Sequence, residues 1–580
     1  MSKSQEPTKK IKSEDSIYSE GDLSDFLPVP PDGGYGWVIV FASFVCNVIV
    51  DGIGYSFGIF LSEFVEYFDE TRSKVSLVGS LLCGVYMCVG PIVSGLTNTF
   101  GCRVVTIAGS TIATVAFVLA GFSPNITILM LTYGVMGGIG FGMIYLPSIV
   151  SVGYYFDRKR AMATGMVVCG TGVGTFIFSP ITEALLETFH WRNALLIMAG
   201  IIFNGCVCGM LMRPLESSKK KKTKNVEENI PVTESALDLF IEPGKECKKN
   251  SSLTESSCMG PSPSNELEGS KNSVESSKSV DKADCLQPMC RKDIFYSGSV
   301  VNIREYKSHT SMTSYTASVT TIPRAVKGEP ECRLWKYCPC LPKPIKDVLQ
   351  QMLDVSILTN LSFILICLGN VLAMLGFYVP YVYLVDKATL QGIDKHRAAF
   401  LLSVIGITST FGRVVSGIMA DCIRGRNLII NNFAMVFAGA AVLLTPFCEN
   451  YESLCVVATV YGLSTAAYTS LTSIILCDLL GLEKLTNAFG LLSMSRGISG
   501  IIGPPLAGAV FQATGHYDVS FFLGGGLFLL GAGFHFLLHL TCVKRLSLKK
   551  VKSQDRRMIS KISIKMEDEK ICVDEKPTTP

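Results

Sequence analysis

Apolar residues along this chain gather into long, unbroken runs, each bounded by a short polar or basic turn. A helix needs roughly 20 residues to cross the hydrocarbon core of a bilayer. Twelve runs reach about that length: 36–61, 75–97, 104–122, 126–149, 161–186, 194–212, 355–379, 397–420, 428–447, 453–475, 486–511 and 519–542. Their interior polar positions are mostly Gly, Ser and Thr, which let helices approach closely in lipid. The pattern predicts an all-α membrane protein of twelve transmembrane helices. It divides into a tail (1–35), a six-helix bundle (36–212), a long loop (213–350), a second six-helix bundle (351–542) and a second tail (543–580). The loop is rich in Ser, Lys and Glu and is expected to be disordered. Its stretch Ser308–Tyr315 has the Ser/Thr density of a phosphorylated segment or of plain solvated linker.

Composition sharpens this picture. Of 580 residues, 48% are hydrophobic and 17% charged, against about 25% charged in soluble domains. Arg103, Arg158-Lys159-Arg160, Arg424 with Arg426, and Lys484 fall in alternate short loops, on the same side as Lys219–Lys222 and Lys544-Arg545. The positive-inside rule makes that side cytosolic, with both termini and the long loop. The first 31 residues lack the apolar core of a signal peptide. A net charge of +4 gives no reason to expect nucleic acid as a partner. The 21 cysteines are scattered through spans and loops and read as small buried hydrophobes. Cys332, Cys338 and Cys340 fit palmitoylation or free thiols. Asn250-Ser-Ser252 matches a glycosylation acceptor on the wrong side, and Asn125-Ile-Thr127 lies too close to two spans.

The halves repeat each other. Gly90-Pro-Ile-Val-Ser-Gly95 matches Gly412-Arg-Val-Val-Ser-Gly417, and Gly165, Gly172 and Pro180 match Gly490, Gly497 and Pro505 at equal spacing. A twofold-repeated twelve-span chain with a long central loop has the layout of a major facilitator fold, whose two bundles rock about a midplane site. Symmetry fails where it is most informative: Arg413 replaces Pro91, and Arg496 replaces Thr171.

Asp51, Arg413 and Arg496 lie well inside spans. A guanidinium at bilayer depth costs at least ~2.5–3.5 kcal/mol and marks a functional site by default, and its charge cannot be shed. Arg413, together with Arg496, can clamp a carboxylate through paired N–H donors. The structural alternatives are a pair between Asp51 and an Arg, or Arg496 bonded to a helix carbonyl. Asn47 and Tyr55 flank Asp51 at i−4 and i+4 and share its helical face. Asn370, Tyr145 and Tyr468 are further cavity candidates, each equally suited to an interhelical hydrogen bond. Asp157-Arg158-Lys159-Arg160, between spans 4 and 5, reads as a gating latch between bundles or as a topology determinant. The chain shows no nucleophile–base arrangement, phosphate loop or metal-ligand spacing, so neither an enzyme nor a cofactor is expected.

Pro30-Pro31-Asp32-Gly33-Gly34-Tyr35-Gly36-Trp37, leading into span 1, resembles the opening motif of the monocarboxylate transporter family. Tyr155-Phe156-Asp157-Arg158-Lys159-Arg160-Ala161-Met162-Ala163-Thr164-Gly165 resembles that family's second motif. Leu211–Pro214 and Gly503–Gly508 are similar to further family features. The resemblance spans all twelve runs and implies a plasma-membrane transporter of small organic monocarboxylates. In the family's best-known members a proton travels with lactate or pyruvate. They use a Lys in span 1, an Asp–Arg pair four apart in span 8, and a Phe in span 10. Carried over, the Arg is Arg413; Ser409 stands for the Asp, Tyr55 for the Lys and Thr465 for the Phe. The carboxylate clamp is kept while both usual proton-handling residues are missing. The expected partners are therefore a small organic anion, the lipid bilayer and, in the symport reading, a proton. A single-span immunoglobulin-type ancillary glycoprotein such as basigin often accompanies proton-coupled members; this sequence neither shows nor excludes one. Two alternatives stay open: a proton-independent facilitator of amino acids or larger carboxylates, and a receptor or scaffold on a transporter fold.

Overall fold

A computed structural model describes residues 30–215, 291–303, 305–309, 312–320, 343–423 and 426–541. Expectations for Lys219–Lys222, Asn250, Cys332, Cys338, Cys340, Arg424 and the tails fall outside the described residues. The described residues are almost wholly helical, and all twelve expected spans are helices.

The first bundle comprises α1 (Gly36–Tyr55), α2 (Phe57–Phe68), α3 (Arg72–Cys88), α4 (Gly90–Gly121), α5 (Ile126–Tyr155), α6 (Arg160–Thr188) and α7 (Trp191–Leu211). The loop contributes α8 (Met312–Val319), and α9 (Lys343–Met352) packs against α4. The second bundle comprises α10 (Leu361–Phe377), α11 (Val379–Leu390), α12 (Lys395–Cys422), α13 (Asn427–Leu444), α14 (Tyr451–Leu480), α15 (Leu485–Thr514) and α16 (Tyr517–Thr541). Among the described residues, ten helical stretches are long and apolar enough to cross a membrane. The other two expected spans are α3 running on into α4, and α15, whose Gly, Ser and Arg496 make it less apolar.

Local chemistry explains the breaks. The Ser56 hydroxyl donates to the Gly52 carbonyl at 2.7 Å, where span 1 bends between α1 and α2. Spans 2 and 3 meet inside α4 at Gly101, whose φ of +80° suits glycine. Pro380 opens α11 just after the interruption at Tyr378.

The repeat reappears as two matched crossings between the bundles. A Cβ on Gly172 of α6 would lie 2.5 Å from the Gly406 carbonyl oxygen of α12, and one on Gly497 of α15 would lie 2.6 Å from the Gly84 oxygen of α3. Only glycine permits this backbone-on-backbone contact.

The two ends differ. At one, Asp386 of α11 accepts from Arg72 Nε (2.7 Å), Ser62 Oγ (2.9 Å) and the Tyr517 hydroxyl. These contacts join first-bundle residues to the second bundle. The other end, called here the basic end, carries Arg103 and Arg158–Arg160.

At the basic end the structure departs from the expectation of a disordered loop. Residues 291–303 and α8 pack into a core shared with both bundles, with Ile294, Phe295, Tyr296, Val300 and Tyr315 buried. Charges anchor these apolar residues as well. Arg160 reaches Asp157 (2.8 Å) and Asp293 (2.9 Å), and Arg291 reaches the same carboxylates at 2.8 and 3.0 Å. Tyr315 is fully buried, with its hydroxyl donating to Asp293 at 3.3 Å, whereas Ser308 at the other end of the Ser/Thr-rich stretch is exposed.

Candidate functional site

Between the bundles lies a cavity of about 510 Å³, within the range of small-molecule sites. The three ionisable residues inside spans converge there: Asp51 from α1, Arg413 from α12 and Arg496 from α15 all line it.

Their environments differ. Arg413 is 9% exposed; one terminal nitrogen donates to the Val168 carbonyl at 2.7 Å, and its Nε is buried without a partner. Among the described residues no carboxylate lies within ion-pair distance of it. This cation thus faces a cavity with donors to spare. Arg496 is more firmly held. Its Nε donates to Asn370 Oδ1 at 2.9 Å, a terminal nitrogen reaches Thr472 Oγ1 at 2.8 Å, and the guanidinium sits 5.1 Å above the Tyr468 ring. Asn370 also accepts from the Tyr468 hydroxyl at 2.7 Å and contacts His535, itself bonded to Asn431. Asn370 and Tyr468 therefore brace Arg496 from behind rather than line the cavity.

Asp51 accepts from Thr171 Oγ1 at 2.5 Å and from the Tyr86 hydroxyl at 3.4 Å. Thr171 is the repeat counterpart of Arg496, so one repeat position serves a carboxylate in one half and supplies a cation in the other. Tyr55 lines the cavity and stacks on Tyr381 with centroids 4.5 Å apart. Tyr145 lines it too, 5.6 Å from the ring of Tyr86.

Besides Asn370, three further expected site residues lie outside the cavity lining. Asn47 is fully buried and ties α1 to α5, donating to the Ser43 carbonyl (2.8 Å) and Ser148 Oγ (3.1 Å). Thr465 bonds back to the Tyr461 carbonyl at 2.8 Å, and Ser409 is buried one turn before Arg413; neither lines the cavity. Sequence reasoning missed Tyr86, Phe377 and Thr171, and did not anticipate residues 294–298 at the cavity's basic end. Thr171 alone carried a signal, through the repeat.

The Asp157–Arg160 cluster is split in role. Asp157 and Arg160 pair with Arg291 and Asp293 of the loop, not directly with the second bundle. Arg158 and Lys159 are exposed. Asp32 Oδ1 accepts the backbone N–H groups of Asp157, Arg158 and Lys159 at 2.8, 3.0 and 3.4 Å. The opening motif thus supplies the anionic cap for the turn that starts α6. Burial opposes the Asp293 charge, yet Arg160 and Arg291 outweigh it and hold that carboxyl well below the usual range. Among the described residues no His, Cys, Asp and Glu cluster could hold a metal.

Comparison with known proteins agrees with this architecture. Residues 40–298 and 362–563 match the Major Facilitator Superfamily. The chain is 30% identical over 534 residues to monocarboxylate transporter 14 of Homo sapiens, covering 90% of this chain and 94% of that protein. It is 28% identical over 533 residues to monocarboxylate transporter 3 of Gallus gallus (91% and 82% covered), and 28% over 536 to monocarboxylate transporter 2 of Homo sapiens (91% and 90%). Repeated bundles of apolar helices about a central cavity and these matches lead to one conclusion: the chain is a multi-pass membrane transporter, not an enzyme, and belongs to the monocarboxylate transporter family of the major facilitator superfamily.

Proposed function

We propose that the protein carries a small organic monocarboxylate across the plasma membrane by alternating access, with Arg413 as the carboxylate clamp and the basic end facing the cytosol. The observation that carries this reading is the buried Arg413, free of any carboxylate partner among the described residues and lining the central cavity. An anion entering there meets a cation that needs little desolvation, through charge-assisted hydrogen bonds. Arg496 and Asp51 tune the site, and Tyr55, Tyr86 and Tyr145 form its walls. The orientation rests on the positive-inside rule. Replacing Arg413 by Ala in an uptake screen of labelled organic acids tests the clamp. Transport surviving with unchanged affinity would refute it.

One observation favours a second reading. Asp51 lines the same cavity, held by Thr171 and Tyr86 and not by a cation at ion-pair distance. A site that offers both a cation and a carboxylate, neither in an ion pair among the described residues, also suits a zwitterionic or larger carboxylate moved without a proton. Uptake compared at acidic and neutral external pH separates the two, since symport accelerates in acid and the facilitator does not.

A further inference from the structure

We propose that residues 294–298 of the central loop are a cap over the basic-end mouth of the cavity, one that rides with the first bundle and parts from the second whenever that mouth opens. The inference rests on the reading that this cavity is the transport path.

Its anchorage is lopsided. Towards the first bundle, the segment is held by the buried group of Arg160, Asp157, Arg291 and Asp293, in which two cations and two carboxylates balance. The Arg160 guanidinium also donates to the Asp293 carbonyl at 2.9 Å, and Thr164 Oγ1 donates to the Ser297 carbonyl at 3.1 Å. A Cβ on Gly153 of α5 would lie 3.1 Å from the Ile294 oxygen, so the segment lies close along that helix.

Towards the second bundle the segment packs by apolar contact and, among the described residues, makes no buried ion pair. The Phe295 ring stacks on Phe489 of α15 at 4.8 Å, and the Ser297 and Ser473 hydroxyls meet at 2.6 Å. Lys292 approaches Glu483 at 3.6 Å, but Glu483 is 84% exposed, and such pairs contribute little. Breaking the first set would strand buried charge. Breaking the second exposes apolar packing, with the Phe295–Phe489 stack and the Ser297–Ser473 hydroxyl pair, but strands no buried charge. Ile294, Phe295, Tyr296, Ser297 and Gly298 all line the cavity, so what passes that mouth passes this segment. With Asp386 joining the bundles at the opposite end, the structure is closed there by side chains of both bundles and capped here by a piece of the loop.

The test is to tie the cap down. In the full chain, Ser297→Cys with Ser473→Cys places two thiols where hydroxyls now touch, near the ~2.0 Å of a disulfide. Oxidation links them and reduction frees them. The readout is reaction of the native cavity residue Cys169 with a membrane-impermeant maleimide, added to one face of sealed vesicles at a time and followed by peptide mass spectrometry. The expected result is loss of Cys169 labelling from the basic face on oxidation, its return on reduction, and no oxidation effect in either single variant. Phe295→Ala, which removes the stack but no charge, raises the labelling rate from that face. A linked protein still labelled from the basic face at the reduced rate overturns the proposal, as does a pair that never links or an unchanged rate in Phe295→Ala. The assay needs no substrate. A chain never labelled from the opposite face in either redox state would instead sink the alternating-access reading.

Discussion

Replacing Asp293 by Asn should release the loop segment without unfolding the bundles. In the native protein Arg160 and Arg291 share Asp157 and Asp293, and all four side chains are at most 5% exposed. Asn keeps the shape but removes one charge, leaving two cations on one carboxylate. An uncompensated buried charge costs about 3–5 kcal/mol. Arg160 cannot escape cheaply: it sits on α6, and its Nε is bonded to the Phe156 carbonyl at 2.9 Å. Arg291 can, because its segment can leave for water. Leaving exposes Ile294, Phe295 and Tyr296, at roughly 1.5–3 kcal/mol for each fully buried side chain, so release becomes accessible rather than complete. With a factor of ten for every 1.4 kcal/mol, the opening equilibrium shifts by roughly 10²–10³. Hydrogen exchange reads this directly. The amides of Ile294, Tyr296 and Ile303, which donate to Arg291, Asp293 and Val300 carbonyls, should lose protection by that factor, while α1 and α6 keep theirs. Replacing Arg291 by Met and Asp293 by Leu together should restore most of the protection, since Arg160 and Asp157 then form a neutral pair. Unchanged exchange at these amides in Asp293→Asn, or equal loss in α6, would refute the reasoning.

Further outcomes follow from the same contacts. Gly172→Ala should cut expression-normalised transport severely, because its Cβ would sit 2.2 Å from Thr410 Oγ1 and 2.5 Å from the Gly406 oxygen; Gly200→Ala, with nothing within 4 Å and away from the cavity, should transport normally. Asp386→Asn removes the charge from bonds to Arg72, Ser62 and Tyr517. At about 1.5–3 kcal/mol for a hydrogen bond to a charged group, labelling of Cys169 from the Asp386 face should rise roughly ten- to a hundredfold. The depressed Asp293 pKa fixes a sign: its stabilisation is complete above the unfolded value of ~3.9 and is lost only as pH falls through the lower folded value. Exchange protection at Ile294 and Tyr296 should therefore be the same at neutral and mildly acidic pH.

The helices, the repeat and the convergence of Asp51, Arg413 and Arg496 were legible because hydrophobic runs and stranded charges are local signals. Which face of a helix meets the cavity was not. Asn47 shares a face with Asp51 but lies one turn, about 6 Å, further along, where α1 meets α5 instead of open space. Ser409 and Thr465 were reached through alignment to a site whose chemistry this chain has altered, and both are packed away from the cavity. Residues 291–303 were hidden for another reason. Their buried apolar residues, Ile294, Phe295, Tyr296, Val300 and Ile303, follow no helix or strand period, and what anchors them is a pairing of Arg291 and Asp293 with residues 134 and 133 positions away. No periodicity encodes such a contact. Asp32 escaped similarly: its Asp-Gly-Gly reads as a turn, and nothing local says that its carboxylate caps a helix start 125 positions later.

The two glycine crossings have a mechanical consequence. Where Gly172 meets Gly406 and Gly84 meets Gly497, backbone approaches backbone, and the side chains of Thr410, Ile501 and Cys88 close the seam around it. In the proposed rocking motion these crossings keep the helix axes close while the neighbouring side chains shift. Resistance resides at the two extremities, in Asp386 with its donors and in Phe295 and Ser297 with theirs. Neither set includes Arg413. In the alternating-access cycle proposed above, Asp386 is the contact through which opening can be retimed without altering the cavity wall, because Phe295 and Ser297 are themselves part of that wall.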